Sequence, residues 1–148
     1  MIGLLQRVTE ARVEIDQAII ATIGPGLLVL VGVEKPDTEA HADRLLERLL
    51  TYRVFSDNDG RMNLSLQQLG GELLLVPQFT LPADTRKGTR PGFSTAASPE
   101  RGKQLFEYLV TRAEAEYPQV AWGRFGADMQ VTLTNDGPVT FWLQVTNI

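Results

Sequence analysis

The chain has 148 residues, 43% hydrophobic and 22% charged, with no cysteine and a net charge of −4. That is enough chain for one core burying roughly 68–70% of the unfolded surface, and the missing thiols exclude a disulfide framework and a thiolate metal site. The acidic balance excludes a protein that coats DNA or RNA by bulk electrostatics, which needs a broad Lys/Arg surface. With no eighteen-residue apolar run, basic leader, repeat or linker, the expectation is one domain over residues 1–148, off the membrane and cytoplasmic.

Residues 1–9 alternate, with Ile2, Leu4, Gln6 and Val8 on one face, and residues 11–16 resume with Val13 and Ile15, which predicts two paired strands. A turn at Asp16-Gln17 leads to a third strand over 18–23. Gly24-Pro25-Gly26 then breaks the chain before residues 27–33, which are apolar on both faces and so expected as a covered central strand. Pro36 and Asp37 open a helix over about 38–52, with Ala42, Leu45, Leu46 and Leu49 in one stripe. Ser56-Asp57-Asn58-Asp59-Gly60 resembles a calcium loop, but with Gly60 as its sixth position the first would be Phe55, which cannot ligate, so a turn is expected. A strand over 72–77 ends on Pro77, which has no N–H to give to a ladder interior.

Residues 78–97 then form a long loop of the kind that carries function. Its Arg86, Lys87 and Arg90 form a local basic patch, which fits either a holder of a few phosphates or a loop kept soluble by charge. Ser98 as N-cap and Pro99 in the first turn start a second helix, which Pro118 stops after Tyr117. Trp122-Gly123-Arg124-Phe125 connects to a closing pair of alternating runs, residues 129–134 and 139–145, around Asn135-Asp136-Gly137-Pro138. Alternation on both sides of those turn formers predicts an antiparallel hairpin. The fold class expected is α+β, a single domain of mostly antiparallel or mixed sheets with about seven strands and two main helices.

Absences narrow the chemistry. No G-x-G-x-x-G follows a strand and no G-x-x-x-x-G-K-[ST] occurs, so no nucleotide cofactor is expected. The single histidine, His41, falls on a polar position of the first helix, where a solvated side chain is expected; without it there is no Ser-His-Asp triad and no base beside a nucleophile. An esterase built from this chain would work by positioning the ester and aiming main-chain N–H groups at the oxyanion, each donor accounting for ~10²–10³ in rate. From the residues alone, a module that binds RNA ends or small metabolites in the 78–97 loop without turnover, or a dimeric scaffold, stays open.

Two short motifs go further. Pro77-Gln78-Phe79-Thr80-Leu81 follows the apolar run 73–76, and Asn135-Asp136-Gly137-Pro138-Val139-Thr140 lies near the end. With them the chain resembles the D-aminoacyl-tRNA deacylase family, whose signatures are S-Q-F-T-L and N-x-G-P-x-T. The likeness is collinear, through Gln6-Arg7-Val8, Gly32-Val33-Glu34-Lys35, Tyr52-Arg53-Val54-Phe55, Arg90-Pro91-Gly92-Phe93-Ser94, Gly123-Arg124-Phe125-Gly126 and Phe141-Trp142-Leu143-Gln144. Position 77 departs, being Pro where the family usually has Ser.

The resemblance implies a homodimer acting on the aminoacyl-tRNA 3′ end, with no cofactor and no metal. It implies that Gly137-Pro138, held cis, reaches into the partner's pocket beside Gln78, Phe79 and Thr80, and that its carbonyls admit a D side chain or glycine and exclude an L one. By the same resemblance Arg7 steadies Gly137-Pro138, Phe79 and Met129 belong to an adenosine pocket, and Thr80 is nucleophile or polar positioner. Asn135 and Thr140 frame the turn. Pro77 brings neither hydroxyl nor N–H, so oxyanion donors are expected from Gln78 or Phe79 onward, and a related deacylase with relaxed chirality is the alternative that this departure leaves open.

Overall fold

In chain order the elements are β1 (Ile2–Ile15), β2 (Ala18–Ile23), β3 (Gly26–Gly32), α1 (Glu39–Thr51), β4 (Phe55–Ser56), β5 (Met62–Leu64), α2 (Leu66–Leu69), β6 (Glu72–Pro77), α3 (Pro99–Glu116), β7 (Val120–Trp122) and β8 (Gln130–Gln144). The computed structural model describes residues 1–148. One edge of β1 pairs with β3 over Ile2 to Val8 and with β2 over Ala11 to Ile15, while its other edge carries β8 along nearly its whole length. β6 and then β7 add in parallel beyond β3. The sheet curls until β2 lies against β6 and β7, a nearly closed barrel.

Local chemistry accounts for several joints. Asp16 (φ 49°) and Gln17 (φ 68°) are both left-handed between the paired Ile15 and Ala18, the two-residue turn whose twist matches its flanking strands. Period 2 divides the apolar strands between two cores. Leu27, Val29, Val31, Leu73 and Leu75 face the main core under the helices, whereas Leu28, Leu74 and Val76 face a smaller one inside the curl with Val8, Val13 and Ile23. The expectation for a covered central strand holds for that reason. Helix α1 starts after Thr38 and α3 after Ser98, whose side chain accepts from the Arg101 N–H. Leu45, Leu46 and Leu49 of α1 are buried against Leu105, Leu109 and Ala113 of α3 and the sheet, each leucine contributing about 1.5–3 kcal/mol.

Three expectations change. The first two predicted strands are a single one, β1, because β8 pairs on both sides of the polar Thr9-Glu10 step while the other edge changes partner there from β3 to β2. The C-terminal hairpin is also a single strand: both halves of β8 run antiparallel to β1, with Gln6 opposite Thr140 and Glu10 opposite Thr134. The turn formers therefore make a bulge. Alternation establishes extended backbone but not its partner, and β1 was long enough to accept both halves. Finally, His41 is buried. The Thr38 N–H donates to its Nδ1 at 3.0 Å and its Nε2–H donates to the Thr146 carbonyl at 2.9 Å, so the ring ties the start of α1 to the C-terminal segment.

Candidate active site

Beyond the C-terminal end of β6 the chain opens a cavity of about 400 Å³, within the ~300–1,000 Å³ range of small-molecule sites. Its walls are mostly apolar: Pro77 and Met129, which meet beside Gly123, Phe79 and Phe93, which pack on each other, and Phe125 against Gly102 of α3, with Phe106 from the same helix. Phe79 and Phe93 pack ring to ring, centroids 5.7 Å apart, yet Phe79 stays 63% exposed. A planar ligand could slide against such a face. Gly102 lies in the second turn of α3, where glycine costs about 1 kcal/mol relative to alanine. A Cβ there would lie 3.2 Å from the Phe125 ring, so the missing methyl is what lets Phe125 close that wall.

Main-chain N–H groups alternate in direction along a strand. The Gln78 N–H donates to Val31 of β3 at 2.8 Å, so position 77 faces the other side, where β7 has already ended at Trp122 opposite Leu75. Proline at 77 thus removes no ladder bond. The turn that follows leaves the successive N–H groups of Phe79 and Thr80 without a partner in the chain, while Leu81 N–H closes on the Gln78 carbonyl. Gln78 Nε2 donates to Thr80 Oγ1, leaving the threonine hydroxyl proton free. The N–H groups left free at this turn are those of Phe79 and Thr80, while that of Gln78 is used by the sheet.

A second cluster forms on the β8 bulge. The Gly137-Pro138 peptide is cis, and both residues are exposed. Gly137 has φ 126°, and a Cβ on it would lie 2.8 Å from Val139 Cγ2 and 3.0 Å from an Arg7 guanidinium nitrogen; only glycine suits that position. Arg7, mostly buried, donates from Nε to the Asp136 carbonyl at 3.1 Å and from Nη1 to the Val54 carbonyl at 2.8 Å, and its Nε stands 3.4 Å from the Asp136 carboxylate. Asn135 Nδ2 donates to Thr140 Oγ1 at 2.8 Å and Asn135 Oδ1 accepts from the Val139 N–H at 3.1 Å. The bulge is clamped across its neck and anchored underneath.

The predicted residues thus form two groups. Pro77, Phe79 and Met129 line the cavity, with Gln78 and Thr80 beside it, while Arg7, Asn135, Gly137, Pro138 and Thr140 gather at the bulge and none lines the cavity. Missing from the sequence reading were Phe93, Phe106, Phe125 and Gly102. Phe93 and Phe125 stood in the collinear likeness with no role attached, and Gly102 was a glycine placed inside an otherwise strong helix.

A model of the family described as D-Tyr-tRNA(Tyr) deacylase matches residues 4–144. Relatives named D-aminoacyl-tRNA deacylase from Nitrosococcus oceani and Pseudomonas entomophila are each 63% identical over 145 residues, 98% of this chain and 94% and 100% of theirs. The chain belongs to the D-Tyr-tRNA(Tyr) deacylase family. Membership makes it an ester hydrolase. A solved structure described as a c-Myc DNA Unwinding Element Binding Protein matches with a TM-score of 0.94 at 34% identity over 99% of this chain and 100% of its own. Another, of a probable eukaryotic D-amino acid tRNA deacylase, shares the fold at a TM-score of 0.82 and 18% identity over 97% and 98% of the two chains. No helix is long and apolar enough to cross a membrane.

Proposed function

We propose that this deacylase works as a homodimer that hydrolyses the ester of D-aminoacyl-tRNA, and of glycine mischarged on tRNA, and rejects L-aminoacyl-tRNA. The observation that carries the proposal is the adjacency of an apolar cavity, lined by Phe79 and Met129, to the unpartnered N–H groups of Phe79 and Thr80. In this reading the terminal adenine enters the cavity against the Phe79 face, which delivers the ester carbonyl to the turn. Developing oxyanion charge is then met by two preorganised main-chain donors, a term that accounts for ~10²–10³ per donor. The free hydroxyl proton of Thr80 orients the ester or the ribose. Thr80 acts as positioner, since its oxygen already accepts from Gln78 and the single histidine is engaged with Thr38 and Thr146. Water attacks a reactive ester, and a neighbouring 2′-hydroxyl can orient it.

Selection comes from the bulge of the other subunit. Gly137 and Pro138 are exposed main chain on a clamped support. Seated over the neighbouring Thr80, the two carbonyls leave space on one side of the substrate's α-carbon only. An L side chain collides; a D side chain or a hydrogen fits. A fixed backbone suits exclusion, because it cannot rotate aside as a side chain can.

The experiment is deacylation of D-tyrosyl-, L-tyrosyl- and glycyl-tRNA by the purified protein, with its mass measured in solution. Release from the D and glycyl esters by a dimer, with the L ester spared, is expected. Equal rates on both tyrosyl enantiomers would remove the selection, and tight binding without product would make the chain a binding module instead.

A further inference from the structure

The cavity accounts for a base and the turn for an ester, but the substrate proposed above also carries a phosphodiester at each preceding nucleotide, and neither feature meets one. Residues 84–92 form a tongue closed at its root by two hydrogen bonds, Asp84 N–H to Gly92 O at 2.7 Å and Gly92 N–H to Asp84 O at 2.9 Å. Everything beyond that root, from Thr85 to Pro91, is exposed. The residue after the root is Phe93, which packs on Phe79 at the cavity, so the tongue projects from the rim of the base site.

Its charges are unequal. Arg86 folds back on Asp84, with Nε and Nη2 each 2.9 Å from a carboxylate oxygen, which offsets its charge and braces the root. Lys87 and Arg90 make no ion pair, although carboxylates outnumber cations 18 to 14 in the chain. Lys35, exposed and also without an ion pair, stands on the same flank, its N–H donating to the Thr95 carbonyl at 3.2 Å. The nearby Glu34 is already held by the Met1 ammonium and Gln144. Arg124, in the 123–129 loop, also makes no ion pair, but that loop carries one cation and one carboxylate, Asp128. Arg86, Lys87 and Arg90 of the tongue face only Asp84, so the tongue carries the larger net positive charge. Like charges on an exposed loop that packs on nothing do not stabilise the fold. Distance favours a shared ligand: Arg90 lies three residues before Phe93, so at most about 10–11 Å of chain separates it from the cavity rim.

We infer that the tongue is the second half of the substrate site, with Lys87 and Arg90 binding the phosphodiesters of the single-stranded nucleotides next to the terminal adenosine while the cavity holds its base. This rests on the tRNA-deacylase reading. It also explains how an acidic protein can hold RNA: the contact is confined to two or three phosphates, which needs a local lip rather than a basic surface.

The test compares wild type with the double variant Lys87→Gln/Arg90→Gln on D-tyrosyl-tRNA and on the D-tyrosyl ester of adenosine, which has no phosphate. Expected is a fall of about tenfold or more in kcat/KM on tRNA, through KM, with the salt dependence shallower by about 1.4 in log-log slope for two single-strand phosphates. The adenosine ester should be hydrolysed as before. Equal losses on both substrates, or no loss on tRNA, would overturn the assignment. Fluorescence anisotropy with a 5′-labelled single-stranded RNA ending in CCA separates this from the function itself. If wild type hydrolyses neither substrate, the deacylase reading fails, and the tongue then stands or falls on whether the double variant loses that RNA.

Discussion

Replacing Arg7 by lysine probes the support of the bulge without removing its charge. Arg7 is 14% exposed, and the carboxylate it faces is 51% exposed, so the ion pair itself is screened and worth little. The weight lies on two charge-assisted hydrogen bonds to main-chain carbonyls, Asp136 at 3.1 Å and Val54 at 2.8 Å. They leave a planar guanidinium in two directions, which an ammonium on a flexible stem cannot copy. Losing the Asp136 bond costs about 1.5–3 kcal/mol, or about 10- to 150-fold in the population of the ordered bulge. With Gly137-Pro138 as a stereochemical stop, that loss should fall on selectivity. The ratio of kcat/KM for D- over L-tyrosyl-tRNA should drop about tenfold or more, chiefly because the L ester is hydrolysed faster. The assay is single-turnover release of labelled tyrosine from both esters, with a thermal melt alongside. An unchanged ratio in a folded Arg7→Lys protein, or parallel loss on both esters, would refute the reasoning.

Three further outcomes follow from the same geometry. Gly102→Ala should leave Tm unchanged or raise it, since alanine is the better helix former by about 1 kcal/mol, while its methyl, 3.2 Å from the Phe125 ring, pushes that wall inward and raises KM for tRNA; an unchanged KM would mean that the wall does not meet substrate. His41→Ala should lower stability by about 1–3 kcal/mol through its lost buried hydrogen bonds and leave kcat of the folded fraction unchanged, so a kcat loss of tenfold would place a base in the mechanism. Asp84 is held down from 3.8 to about 2, first by the Arg86 side-chain hydrogen bond and then by the Arg86 N–H. Because the folded value is the lower one, the brace is complete above about pH 4 and is lost as pH falls through about 2. Carboxyl NMR should place the wild-type midpoint there and show it part-way back toward 3.8 in Arg86→Gln, the N–H contact remaining; an unmoved midpoint would contradict the pairing.

Elements whose limits are set by neighbours in sequence were legible. Thr38, Ser98 and Pro99 mark the helix starts that the structure shows, and the Ala42, Leu45, Leu46 and Leu49 stripe lies in the core. Pairing was not, because period 2 is the same for a hairpin and for one bulged strand. What decides between them is the length of β1 and the guanidinium of Arg7, residues more than a hundred positions away. The short α2 and β7 depend on the capping box of Ser65 and Gln68 and on the free edge of β6, and neither leaves a periodic trace. The two motifs drew attention to Phe79 and to Gly137-Pro138, the latter as a hairpin turn that the structure makes a bulge, whereas the walls supplied by Phe93, Phe106 and Phe125 converge from three separate segments. His41 was placed on the surface because a polar residue on a helix usually is; the carbonyl of Thr146 that receives its ring N–H comes from the far end of the chain.

The most direct measurement mixes subunits. Phe79→Asp should disable a pocket while leaving its own bulge intact, and Arg7→Lys should loosen a bulge while leaving its own pocket intact. If the stop acts across the dimer, hybrids of the two variants contain one whole pocket under one firm bulge, and their activity should regain the wild-type preference for the D ester. Hybrids that hydrolyse both enantiomers as the Arg7→Lys homodimer does would mean that each chain guards its own pocket, or none, and would contradict the account.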